Sequence, residues 1–173
     1  MADVWTPRPE RPGSAADRRS VRQVELAAFD TPAEADLVDA LRGDPSWLDG
    51  LSYLAEAPSG VVVAHALLTR CLVGDTPAAA LTPCAVLPGR QGRGAGTAVI
   101  RALLDAARAA GEHTVIVLGH PRYYPRFGFA PASRFGILPP QDWPDEAFLA
   151  LGLNDATAPP QGTVRYPAPF GID

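Results

Sequence analysis

A chain of 173 residues, 47% of them apolar, is long enough to bury a sizeable core, and one domain over residues 1–173 is expected. The formal charge of −4 offers no basic surface for nucleic acid, and no apolar run approaches the ~20 residues a membrane helix needs, so neither partner is expected. All fifteen basic residues are arginine, which excludes a lysine Schiff base and the phosphate lysine of a Walker A loop.

In chain order, residues 4–8 suit a short edge strand, and Pro7, Pro9 and Pro12 make the next segment extended and turn-rich. Ser14 is a cap for a helix over 15–28. Thr31-Pro32-Ala33-Glu34 combines a cap, proline at the first helical position and Glu at the third, and predicts a second helix that Gly43 ends. Residues 51–56 and 61–70 read as a hairpin around Ala57-Pro58-Ser59-Gly60, and 76–86 as a long central strand. Cys71 and Cys84 fall in these strands and read as two buried thiols. With no apolar signal core at the N-terminus, a cytoplasmic location is expected.

After the central strand comes the loop Pro88-Gly89-Arg90-Gln91-Gly92-Arg93-Gly94-Ala95-Gly96. The helix that follows aligns Val99, Leu103 and Ala107 with Ile100 and Leu104 on one stripe and ends near Gly111. Residues 114–118 form a continuous apolar and β-branched run, as in a strand buried on both faces, so strand, helix and strand make a right-handed parallel crossover. Beyond Gly119 lie a turn or short helix at 123–127, a proline-broken loop through Pro144, and strands at 147–153 and 163–166.

Glycines just before a helix leave backbone N–H groups at the positive end of its dipole, a cradle for phosphate oxygens. A dinucleotide pattern begun at Gly92 fails, because Thr97 replaces the third glycine, and a plain structural corner is the other reading. A further reading is Gln91-Gly92-Arg93-Gly94-Ala95-Gly96, which resembles the coenzyme A pyrophosphate loop of the GNAT N-acetyltransferase superfamily. A second segment, Tyr123-Tyr124-Pro125-Arg126-Phe127-Gly128-Phe129, resembles the Tyr-x-x-x-Gly-Phe stretch after that family's fifth strand. The double-tyrosine form resembles a bacterial branch whose members have similar length.

The resemblance implies an α/β fold with a mixed, mostly antiparallel sheet flanked by helices, its central parallel pair splayed into a V-shaped cleft. It implies acetyl-CoA as cosubstrate, with pantetheine along Ala85, Val86 and Leu87 and pyrophosphate over Gln91, Gly92, Arg93, Gly94, Ala95 and Gly96. Arg90 and Arg93 are placed to add charge there. The implied reaction is direct attack by a primary amine of a small molecule or peptide, with Tyr124 as general acid for the departing thiolate. No carboxylate occupies 78–82, where some family members carry a base, so His65, His120, Glu25, Asp30 or a water relay stay open. That gap motivates an alternative, a catalytically silent acyl-CoA-binding sensor. No close-spaced metal set occurs, so no metal is expected, and a homodimer is left open. The acceptor wall is expected from the region between Phe29 and Trp47 and from Trp143, Phe148 and Tyr166.

Overall fold

The structure, a computed structural model, describes residues 3–154 and 158–172. Its first strand, β1 (Thr6–Pro9), leads into α1 (Ala15–Ala28), where the Ser14 hydroxyl accepts from the Asp17 amide at 3.1 Å. Asp17 then turns back to β1, taking two bonds of 2.9 Å from the Arg8 guanidinium and one of 2.8 Å from the Arg11 amide. These donors hold the Asp17 carboxyl down at about 2, against the cost of burying it.

The second helix, α2 (Ala33–Arg42), starts one residue later than a Thr31 cap would have it. Pro32 occupies the cap position and its carbonyl takes the first intrahelical bond, from Asp36 at 2.8 Å. Thr31 Oγ1 is left with a long 3.4 Å contact to the Ala33 amide. The meander β2 (Trp47–Glu56), β3 (Val62–Val73) and β4 (Thr76–Val86) follows, with β2 and β3 running further than the hydrophobic runs marked. The crossover α3 (Ala95–Ala109) and β5 (Thr114–Leu118) stand where the sequence placed them.

In the supposed loop beyond, two strands of two residues each appear, β6 (Ala130–Pro131) and β7 (Ile137–Leu138). The chain continues through β8 (Phe148–Gly152) and β9 (Gly162–Arg165). The main path of the sheet is β1-β2-β3-β4-β5-β8-β6, and its neighbours are antiparallel except for β4 and β5. Off that path, β9 pairs with the end of β3 and with β7.

Side chains on alternate sides of the strands fill separate cores. Val99, Ile100, Leu103 and Ala107 of α3 pack on one face of the sheet, with Leu68, Leu81 and Val115. Val21 and Val24 of α1 with Val38 and Leu41 of α2 cover Leu54, Leu67 and Ala85 on the other. Fully burying one such leucine or valine contributes about 1.5–3 kcal/mol, so both helical layers are firmly seated. No helix among the described residues is long and apolar enough to cross a membrane.

Candidate active site

The two parallel strands stay together only briefly. β4 pairs with β5 at Ala79 with Val115 and at Ala80 with Ile116, and no pair follows. Just beyond, β4 carries a bulge: Leu81 lies opposite Leu68 and Cys84 opposite Ala66, so one extra residue sits around Thr82-Pro83. A bulge bends its strand and raises the local twist, and here it turns the end of β4 away from β5. The gap between them is the expected cleft.

Past the bulge, β4 is held from β3, with His65 opposite Ala85 and the Leu87 amide donating to Val63 O at 2.8 Å. By the alternation of antiparallel pairing, Ala85 and Leu87 spend their main-chain groups on β3. Val86 presents its N–H and C=O to the gap, and its carbonyl accepts from Gln91 Nε2 at 3.3 Å. The Ala85 side chain lies on the opposite face, in the core beneath α1 and α2.

The loop then builds a cradle. Gly92 and Gly94 have φ of 72° and 92°, left-handed values that glycine adopts without a Cβ clash. Gly94 caps α3, and its carbonyl accepts from Ala98 at 2.9 Å. Among the described residues, none of the amides of residues 91–97 that precede that bond donates to a protein partner. Seven consecutive N–H groups at a helix start form an anion site, with the dipole adding to it. Of these residues, all but Arg93 line a cavity of about 380 Å³, together with Cys84, Val86, Arg90, Tyr123 and Arg126.

The arginines divide differently from expectation. Arg90 and Arg126 line the cavity, and Arg126 lies over the Tyr123 ring at 4.2 Å. Arg93 turns outward to an ion pair with Asp3 at 2.8 Å, while its carbonyl accepts from Trp5 Nε1 at 2.8 Å. Arg126 belongs to the Tyr-Tyr-Pro-Arg-Phe-Gly-Phe segment, and its distance along the chain from the loop concealed the role.

The two tyrosines are also distinct. Tyr123 hydroxyl meets Thr97 Oγ1 at 3.2 Å at the start of α3, so it borders the loop cavity. Tyr124 packs edge-on against Tyr123 and Phe129, with centroids 5.1 and 5.7 Å apart, and lies against Gly119 at the end of β5. A Cβ at Gly119 would run into its ring. Its hydroxyl has no hydrogen-bond partner among the described residues. Burial, with lesser contributions from Cys84 and Tyr123, raises the Tyr124 phenol above its ordinary value, so it stays protonated over the neutral range. The Cys84 thiol on β4 is pushed up to about 12 by burial, with Glu25 adding to the shift.

Across the gap, on the α1 and α2 side, Ala80, Thr82, Leu118, Trp143, Tyr166 and Phe170 border an apolar pocket of about 130 Å³. Phe148 lies under Trp143 at 5.6 Å rather than lining it. Trp47 is elsewhere, stacked with Arg42 at 5.0 Å. Of the candidate bases, His120 is exposed and its Nδ1 accepts from the Arg122 amide at 3.2 Å, a turn cap; Asp30 is exposed. Glu25 and His65 are both fully buried and bonded at 2.7 Å, and His65 Nε2 reaches Ser52 Oγ at 2.9 Å. Ser52 Oγ donates to Glu10 Oε2 at 2.6 Å, and Glu10 pairs with Arg42 at 2.5 Å. Ser52, Glu10 and Arg42 carry no motif that sequence reading could have found.

An amide-lined cavity on one side of a parted strand pair and an apolar pocket on the other suit a two-substrate group transferase. The sequence profile of the acetyltransferase (GNAT) family matches residues 19–129. The chain is 40% identical over 150 residues to the uncharacterized N-acetyltransferase YjhQ of Escherichia coli K12, covering 84% of this chain and 82% of that one. Two solved structures are similar over nearly the whole chain. One is the GNAT family N-acetyltransferase YhbS from Escherichia coli in complex with CoA, with TM-score 0.88, 26% identity, and coverage of 99% and 94%. The other is a GNAT family acetyltransferase from Brucella melitensis in complex with acetyl-CoA, with TM-score 0.77, 33% identity, and coverage of 97% and 99%. This chain belongs to the GNAT acetyltransferase family. It is an N-acetyltransferase, of the class that moves an acetyl group from acetyl-CoA to an amine.

Proposed function

We propose that the cradle of residues 91–97 holds the pyrophosphate of acetyl-CoA, with Arg90 and Arg126 supplying the side-chain charge. The row of unbonded amides beneath the 380 Å³ cavity is the observation that carries this reading. Pantetheine runs along the open edge of β4 and pairs with Val86, the one residue of 85–87 whose main chain faces the gap. The acceptor is a primary amine on a small molecule or peptide, entering from the apolar pocket beside Trp143 and Tyr166.

The acceptor nitrogen attacks the thioester carbonyl in the gap, with both substrates bound at once, so positioning contributes much of the rate. The Val86 amide donates to the oxygen as negative charge develops on it. Tyr124, protonated and with its ring against Gly119 at the end of β5, gives its proton to the departing sulfur. The experiment is isothermal titration with acetyl-CoA, followed by thiol release over a panel of primary amines. Micromolar binding and amine-dependent release are expected. Binding without release from any amine identifies a silent acyl-CoA sensor instead, and no binding at millimolar cofactor refutes the cradle.

A further inference from the structure

Leu81 belongs to the core beneath α3, whereas Ala80 and Ile116 belong to a core on the opposite face of the sheet. All three line the apolar pocket of about 130 Å³, so the pocket reaches into the gap between β4 and β5 instead of resting on one face. Its floor is the last parallel pair, Ala80 with Ile116. Two residues further along each strand stand Thr82, in the bulge, and Leu118, at the end of β5, which form the rim. The small side chain of Ala80 leaves the room, and Leu118 is a large apolar side chain left 45% exposed beside it.

The remaining wall is aromatic. Trp143 and Tyr166 meet at 5.9 Å and 65°, and Tyr166 meets Phe170 at 5.1 Å, so the three rings brace one another before any ligand arrives. Among the described residues, no side chain lining the pocket is charged. Its polar side chains are Thr82 and Tyr166, and burial raises the Tyr166 phenol above its ordinary value, so it stays neutral. A second cation on the acceptor would lose its water against Leu81, Ile116 and Leu118 with no carboxylate to pair with it. An uncharged apolar group meets no such cost. A dry cavity of roughly 150 Å³ lined by Leu, Ile and Phe takes up one benzene, so the room here is that of a single ring. Thr82 and Val86 are four residues apart on β4, at most about 13 Å at the rise of an extended strand. A ring seated on Ala80 therefore needs an alkyl arm to bring its nitrogen to a thioester held at Val86.

Resting on the acetyltransferase reading, we propose that the acceptor is an arylalkylamine, a primary amine whose other recognised group is one uncharged ring joined to the nitrogen by a short alkyl chain. The ring sits on Ala80 and Ile116 between Trp143 and Tyr166, and the chain leads out past Thr82 and Leu118 into the gap. Ala80 sets the size of the group accepted, and Leu118 sets its charge.

The test is thiol release by the full chain with acetyl-CoA over a series of phenylalkylamines from benzylamine to phenylbutylamine, against butylamine, putrescine and the peptide Phe-Gly-Gly. The best phenylalkylamine exceeds butylamine and putrescine in kcat/KM by about 100-fold, since a single methylene in an apolar pocket is already worth roughly 10- to 200-fold. Ala80→Leu fills the floor and lowers that kcat/KM by about tenfold or more. Where Ala80→Leu fails to fold, Leu118→Glu at the half-exposed rim decides: it lowers kcat/KM for the phenylalkylamine about tenfold and raises it for putrescine, at unchanged affinity for acetyl-CoA. Ringed and ringless amines within a few-fold of each other, a preference for putrescine, or a preference for the peptide overturns the proposal. A protein that binds acetyl-CoA and releases thiol with no amine refutes the acetyltransferase reading instead. The pocket is then judged by titrating phenylbutylamine into the acetyl-CoA complex. Saturable binding that Leu118→Glu weakens about tenfold supports the ring site, and no binding at millimolar amine overturns it.

Discussion

The two sides of β4 gather polar groups by opposite means. On the α3 side the groups are backbone amides of residues 91–97, supplied by one continuous stretch that is at least partly exposed except at Ala95. On the α1 side they are side chains of Glu25, His65, Ser52 and Glu10, buried and drawn from separate parts of the chain. A backbone cradle asks only for glycines and a helix start, whereas a buried side-chain network asks for a tertiary structure. The first is therefore local in sequence, and the second is not.

Five substitutions, in three tests, probe the contrast. The largest effect is expected at the gap itself: Tyr124→Phe lowers kcat by about 100-fold or more, with KM for acetyl-CoA little changed, because a general acid contributes 10²–10⁴-fold. Tyr123→Phe, which loses a 3.2 Å contact to Thr97, serves as the control and leaves kcat within a few-fold. Equal losses at both positions would make the pair a packing element. Next, Gly94→Val forces a β-branched residue into a φ of 92°, and strain of about 1–3 kcal/mol predicts acetyl-CoA binding weakened on the order of 10- to 100-fold by titration. The smallest effect separates the arginines. Arg126→Ala weakens acetyl-CoA binding several-fold and flattens its salt dependence, whereas Arg93→Ala, whose guanidinium is engaged with Asp3, changes it less than twofold.

The same contrast explains what could be read from the residues. β4, α3 and β5 were legible nearly to the residue, because apolar periodicity, a glycine-rich corner and a β-branched run are local signals. The Ser14 cap was legible for the same reason, since Asp17 three residues on supplies the amide. At Thr31 the local signal misled, as Pro32 itself took the cap position. β6 and β7 were illegible because two residues carry no periodicity, and they exist through pairing with β8 and β9. His65 stood among the open candidate bases, and its partners Glu25 and Ser52 lie 40 and 13 residues away. Only the fold brings them together.

The indole of Trp5 and the side chain of Asp3 both fasten onto Arg93, across 88 and 90 residues of chain, while Phe170 and Ile172 border the apolar pocket beside β5. Each extremity of the described chain thus rests against one half of the substrate cleft. For anyone building fusions, neither end is a neutral handle. A tag joined ahead of Asp3 loads the loop at Arg93, one joined after Ile172 crowds the apolar pocket, and an exposed internal turn such as Pro58-Ser59-Gly60 is the quieter place for a label.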